Sequence, residues 1–122
     1  MGFSHGDLKL ENICARTSSH GNFKFTLIDF GMSQKLPQKG VENKPNPFFR
    51  GNFMFSSENQ LQNYKPTIAC DLISLIYVAY YFVENGLPWT DYIDLCMLND
   101  PSVNLYDLGS FKKIRLTRAA DF

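Results

Sequence analysis

The chain has 122 residues, of which 44% are hydrophobic and 20% charged, and its twelve basic and twelve acidic side chains give a formal net charge of zero. This balance gives no indication of a polyanion-binding surface, so nucleic acid is not an expected partner. Cys14, Cys70 and Cys96 match no zinc-ligand spacing, and we expect them to be reduced, as in an intracellular protein of the cytoplasm or nucleus.

The first motif along the chain is HGDLKLEN at residues 5–12, which is followed by the turn sequence IDFG at residues 28–31. A lone D-F-G is common by chance and makes an ordinary turn. The joint pattern is far more specific, because acidic, basic and amide side chains must stand in register before the D-F-G. It resembles the catalytic loop and D-F-G turn of protein kinases.

The resemblance implies ATP as the phosphoryl donor and Mg²⁺ as the cofactor. Asp7 would orient the substrate hydroxyl and accept its proton, and Lys9 would lie against the transferring phosphate. Asn12 and Asp29 would hold the metal ions, since Mg²⁺ prefers carboxylate and amide oxygens. The same two metal ligands, together with Cys14, would contact the nucleotide.

Two short apolar segments, residues 13–16 and 23–29, are separated by the polar residues 17–22. This pattern predicts a β-hairpin with a long turn. In the kinase resemblance, the hairpin brings Asn12 and Asp29 to one edge of the sheet.

Residues 32–50 show neither helical nor strand periodicity and are rich in Lys, Gln, Asn, Gly and Pro, which predicts a loop. In the resembling family this is the position of the activation segment, which presents a peptide substrate. Its basic residues are Lys35, Lys39, Lys44 and Arg50. They could bind an acidic or phosphorylated substrate, or they could simply be solvated.

The resemblance also implies structural roles and shows departures. His5 would pack against Phe30, and Gly31 would complete the D-F-G turn. Gly6 replaces the arginine that many kinases use to bind a phosphorylated activation loop, so loop phosphorylation is not an expected switch. Asn52 replaces a threonine that commonly hydrogen-bonds the catalytic aspartate and lysine, and its amide can still donate.

The strongest subfamily signal is FRGNFMFSSEN at residues 49–59. Its S-x-N stands where most kinases have A-P-E, and it resembles the casein kinase 1 superfamily, including the tau-tubulin and vaccinia-related kinase branches. The continuations DLISL at residues 71–75 and LPW at residues 87–89 agree at the same spacing. The resemblance therefore covers about residues 3–92.

Residues 71–85 are apolar nearly all round, which predicts a buried helix that ends at a left-handed Gly86. The apolar run at residues 75–83 is too short to span a membrane, so no membrane partner is expected. Asp71 begins this helix and is either a plain N-cap or, as the resemblance implies, a clamp whose carboxylate accepts hydrogen bonds from the backbone amides of residues 5–6.

These patterns predict an α+β fold, mostly helical with a short β-hairpin, that corresponds to the C-lobe portion of a protein kinase. Residues 1–122 would be a partial kinase domain, from the catalytic loop to just past the helix at residues 71–85, which corresponds to the F helix of the resembling family. The N-lobe and the last C-lobe helices would be absent. The expected reaction is transfer of the ATP γ-phosphoryl group to serine or threonine of a protein substrate, with the isolated chain inactive. The alternative is a non-catalytic kinase-like module that acts as a binding scaffold or decoy.

Overall fold

A computed structural model describes residues 2–40 and 44–120, which form a small α+β fold. Its elements in chain order are β1 (Phe3–Ser4), β2 (Ile13–Thr17), β3 (Phe23–Leu27), β4 (Gln34–Lys35), α1 (Glu58–Leu61), α2 (Ile68–Glu84), α3 (Thr90–Met97) and α4 (Leu108–Ala120). Single 3₁₀ turns at Leu10–Asn12 and Leu105–Asp107 precede β2 and α4. Within the described ranges, no helix is long and apolar enough to cross a membrane.

The hairpin predicted from the sequence is present as the antiparallel pair β2 and β3, in which Ile13 lies opposite Leu27. Beyond this pair, Ile28 N donates to the Asn12 carbonyl at 3.0 Å. The pairing therefore continues to the residue next to Asp29 and fixes how the two ends of the hairpin lie against each other.

The segment at residues 32–50 departs from the predicted loop, because β4 pairs antiparallel with β1. Strands of two residues carry no periodicity, which is why the sequence pattern misses them. Farther along, the side-chain amides of Gln34 and Asn46 donate to each other at 2.8 and 3.0 Å, and Asn46 N donates to Asn63 O at 2.7 Å. Residues 41–43 of the predicted loop lie outside the described residues.

The predicted long helix is present as α2, and it begins three residues before Asp71, at Ile68. It ends at Glu84 and is capped by Asn85, which takes the left-handed backbone with φ of 57°. The sequence pattern assigns this conformation to Gly86, and that assignment is wrong. Asparagine is the common alternative to glycine at a helix end, because its short polar side chain tolerates the left-handed region.

The prediction that α2 is buried all round is also wrong, because only one side of it is packed. Its buried residues are Cys70, Ser74, Tyr77 and Val78. The large apolar side chains that stay exposed are Ile68, Leu72, Leu75, Ile76, Tyr80, Phe82 and Val83. In the part of the chain that the structure describes, nothing covers this second side.

Trp89 lies at the centre of the hydrophobic core and is fully buried. Its ring packs edge-on against Tyr77 with 4.8 Å between centroids, and its Nε1 donates to Met54 O at 2.8 Å. The buried core residues are Phe55, Tyr77, Val78, Leu87, Trp89, Ile93 and Leu108. The core therefore joins α2, α3 and α4 to the segment around Met54, which in turn supports the site.

Candidate functional site

The loop at residues 5–12 is fixed to α2 by Asp71. The Asp71 carboxylate accepts hydrogen bonds from His5 N at 2.7 Å and from Gly6 N at 3.0 Å. These are the hydrogen bonds that the kinase resemblance implies, and the N-cap alternative is not observed. A carboxylate that receives two backbone amides is well satisfied in a partly buried place, so the loop and the helix hold each other.

Asp7 directly follows the two residues that Asp71 holds, and its side chain is 8% exposed. Asn52 Nδ2 donates to Asp7 Oδ1 at 3.0 Å and to Leu8 O at 3.3 Å. Asn12 Nδ2 donates to the Asp7 carbonyl at 2.9 Å and approaches Asp7 Oδ2 at 3.4 Å. Lys9 Nζ is 3.7 Å from Asp7 Oδ2. The carboxylate is thus held on both oxygens by donors, and its remaining lone pairs are free to accept a proton from a hydroxyl.

Asp29 follows the hairpin and lies next to Ile28, whose amide bonds the Asn12 carbonyl. Its backbone is left-handed, with φ of 57°, and its Oδ1 accepts a hydrogen bond from Gly31 N at 3.2 Å. The side chain is exposed. The hairpin therefore brings Asn12 and Asp29 to the same edge, as its predicted geometry requires.

His5 is buried and packs edge-on against Phe30, with 5.0 Å between ring centroids. Its Nε2 also contacts Ile28 O at 2.9 Å, and its Nδ1 accepts a hydrogen bond from Asp7 N at 3.2 Å. This is the structural contact that the resemblance implies. It links the loop that carries Asp7 to the turn that carries Asp29.

Cys14 lies on β2 opposite Thr26, and its side chain is exposed. The structure thus leaves its sulfur accessible on the hairpin surface. Its nucleotide contact stays a prediction.

Asn12 and Asp29 carry side-chain oxygens of the types that bind Mg²⁺. Asn12 uses its Nδ2 to bond Asp7, which leaves its Oδ1 without a partner among the described residues, and Asp29 Oδ2 is likewise unpaired there. Mg²⁺ usually keeps several waters and binds proteins through one or two such oxygens plus phosphates. Across the described residues, no group of three or more His, Cys, Asp and Glu side chains is arranged to hold a metal.

Two polar residues that support the site are not evident from the sequence. Gln60 in α1 is buried, and its side-chain amide bonds Gly6 O and Arg50 O. Lys112 in α4 is fully buried, and its Nζ donates to backbone carbonyls of the segment that follows Asn52. In a sequence, single glutamine and lysine residues look like surface side chains, and no local pattern distinguishes these two.

Lys112 is the ionisable group that burial changes most clearly. Its Nζ lies 2.7 Å from Phe53 O and 2.8 Å from Ser56 O, and 4.7 Å from the centre of the Trp89 ring. Burial lowers the pKa of its amine to about 7, and the charge of Glu58 opposes this change. The amine therefore ties α4 to the chain around Met54 in a place that disfavours its charged form.

Comparison with known proteins adds a sequence relative to this geometry. No protein-family model matches the chain. A Caenorhabditis elegans protein named "Putative casein kinase I" is 28% identical over 92 residues, which cover 73% of this chain and 27% of that protein. The similarity supports a casein-kinase-like relationship. The chain thus spans about a quarter of the length of this relative, and the similarity does not distinguish the branches of the superfamily.

Proposed function

We propose that the chain is the catalytic-loop portion of a serine/threonine protein kinase of the casein kinase 1 type. The observation that carries this proposal is the arrangement around Asp7. One buried carboxylate is oriented by Asn52 and Asn12, with Lys9 beside it, and Asn12 and Asp29 lie at the adjoining hairpin edge. The partial relationship to a casein-kinase-like protein supports the same assignment.

In the proposed reaction, Asp7 accepts the proton of a serine or threonine hydroxyl while that oxygen attacks the γ-phosphorus of ATP. The bond from the γ-phosphorus to the β,γ-bridging oxygen breaks, and ADP leaves. Lys9 stabilises negative charge on the transferring group. Asn12 and Asp29 would hold Mg²⁺, which when bound would neutralise negative charge on the phosphate groups. Asn52 keeps the Asp7 carboxylate turned toward the hydroxyl, since it bonds one of the two oxygens.

The proposal includes a protein substrate and ATP as partners, and an intracellular location. It places Cys14 near the nucleotide, because Cys14 lies two residues after Asn12 on β2. An N-lobe would have to supply the groups that cover the nucleotide.

A metal probe tests the hairpin edge directly in the 122-residue chain. Mn²⁺ should broaden the NMR signals of the Asn12 side-chain amide and the Gly31 amide before others, because paramagnetic broadening falls steeply with distance. Asp29→Asn should remove this selective broadening and keep the left-handed backbone, which asparagine tolerates. Asp94→Asn removes the same charge from the exposed surface of α3 and should leave the selective broadening unchanged. Broadening that is unchanged in Asp29→Asn would contradict the proposed metal site.

Sequencing the transcript upstream of Met1 separates the kinase from a non-catalytic scaffold or decoy, since only a kinase needs a Gly-rich loop and a lysine strand.

In a longer product, Asp29→Asn should abolish metal-dependent transfer. Asp7→Asn should reduce turnover and leave nucleotide affinity nearly unchanged, because Asp7 acts on the substrate hydroxyl. If Asp7→Asn weakened ATP binding in step with turnover, its proposed role would be wrong.

A further inference from the structure

Gln60 joins two parts of the site that are far apart in sequence. Its Nε2 donates to Gly6 O at 2.6 Å and to Arg50 O at 2.8 Å, over separations of 54 and 10 residues. Both acceptors are carbonyl oxygens, so only the nitrogen of the amide can face them, and both of its hydrogens are used. The side chain is 8% exposed, so water does not readily replace these hydrogen bonds.

The backbone around this amide is shaped to admit it. Gly51 has φ of +129°, and a Cβ there would lie 2.9 Å from both Gly6 O and Ser56 Oγ and would overlap Gln60 Nε2. Gly6 has φ of +83°, and a Cβ there would lie 2.6 Å from Met32 O. Both positions therefore require glycine, and the two chain segments meet closely around one neutral side chain.

Gly6 is consequently fixed through both of its backbone polar groups, with its N–H on Asp71 and its carbonyl on Gln60. Arg50, the second acceptor, lies two residues before Asn52, whose amide orients Asp7. A side chain that sets the spacing between Gly6 and Arg50 thereby sets the spacing between Asp7 and Asn52.

We propose that Gln60 is a positioning residue that holds the Asp7 loop against the end of the segment at residues 32–50 through a neutral link. The catalytic consequence rests on the proposed kinase function. The link is an uncharged side-chain amide that donates to two backbone carbonyl oxygens, and it aligns Asp7 with Asn52.

Gln60→Glu tests the link through its pH dependence, and Gln62→Glu is the control because Gln62 is exposed and closes the same helix. An ionised carboxylate cannot donate to Gly6 O and Arg50 O, whereas a protonated one donates once. The folded-state pKa of the introduced carboxyl group should therefore be raised. The Gln60→Glu variant should then be most stable at low pH and lose stability as the pH rises through that pKa. The measured quantity is how far the Tm of each variant lies below that of the unsubstituted chain. From pH 4 to pH 8 this difference should increase by about 5 °C or more for Gln60→Glu and by less than about 2 °C for Gln62→Glu. Parallel curves for the two variants would overturn the proposal.

Gln60→Met keeps the size and helical preference of the side chain and removes both donors, so it separates positioning from general stability. Hydrogen exchange at the Gly6 amide should accelerate by about tenfold or more, and at the Ile93 amide in α3 by less than about twofold. Equal acceleration at both amides would show a purely global effect and would overturn the proposal. Neither experiment depends on ATP or on phosphoryl transfer, so failure of the kinase proposal and failure of this link are distinguishable.

Discussion

The Asp71 carboxylate lies between the backbone amides of His5 and Gly6, which are 66 and 65 residues away in sequence, at 2.7 and 3.0 Å. The helix that carries Asp71 therefore acts directly on the backbone of the residues that precede Asp7. A change that weakens these two hydrogen bonds should therefore make the loop that carries Asp7 more mobile before it disturbs the core around Trp89.

Asp71→Asn should lower the free energy of unfolding by roughly 2 kcal/mol, because a carboxamide offers one acceptor where two amides donate. Its NH₂ group would then face an N–H donor. Chemical denaturation monitored by the fluorescence of Trp89, the only tryptophan, measures the change. Asp94→Asn is the matched control and should change the value by less than about 0.5 kcal/mol, since it lies exposed on α3. Equal effects of the two substitutions would contradict the clamp.

Gly6→Ala should be much more destabilising than Gly21→Ala, although both glycines have left-handed backbones with φ of +83° and +78°. The backbone penalty of roughly 1–2 kcal/mol is common to both. Only at Gly6 would the new Cβ meet a backbone atom, Met32 O at 2.6 Å, whereas nothing lies within 4 Å at Gly21. We expect the difference in unfolding free energy to exceed about 1 kcal/mol, as is typical of overpacking. Similar values for the two variants would mean that Met32 moves away without cost.

The contribution of Lys112 to the stability of the chain should rise with pH between about 7 and 10. Burial lowers the pKa of its amine to about 7 in the folded state, while the unfolded chain keeps the ordinary value of about 10.4. In this window the unfolded state binds more protons, so the free energy of unfolding should increase by about 1 kcal/mol per pH unit. Below pH 7 the lysine is charged in both states and adds no slope.

Lys112→Met should remove this slope, and Lys113→Met, at the neighbouring exposed lysine, should keep it. Denaturant unfolding at several pH values measures both. If the unsubstituted chain and Lys112→Met show the same slope, the buried amine keeps its ordinary pKa.

The isolated chain should show no saturable binding of Mg-ATP below about 1 mM, where the binding free energy is only about 4 kcal/mol. Asn12 and Asp29 offer metal ligands, but the sequence contains no Gly-rich loop to cover the phosphates and no lysine strand to contact them. Calorimetric titration measures the affinity. A micromolar constant would show that the hairpin edge is sufficient by itself.

The parts of the fold that the sequence predicts correctly are those with a local pattern. The β2–β3 hairpin follows from two apolar runs around a polar turn, and α2 follows from a long apolar stretch. The short pair β1 and β4 has no such pattern and is missed. The burial of α2 is overestimated because composition indicates how apolar a helix is, not which sides find a partner.

The candidate site shows the same division. The Asp71 hydrogen bonds and the His5–Phe30 contact are implied by the kinase resemblance and are present. Gln60 and Lys112 are missed because their importance depends on which distant carbonyls the fold brings to them. Such long-range partners cannot be inferred from residue type or spacing.

The separation of Asp71 from His5 also orders events during synthesis. At roughly 5–20 residues per second, the ribosome needs roughly 3–13 s to extend the chain by 66 residues, from His5 to Asp71. During this interval the β2–β3 hairpin, whose contacts are local, can form, while the amides of His5 and Gly6 remain bonded to water. A nascent chain halted before residue 71 would carry every motif residue from Asp7 to Asp29 without the carboxylate that holds the backbone of His5 and Gly6.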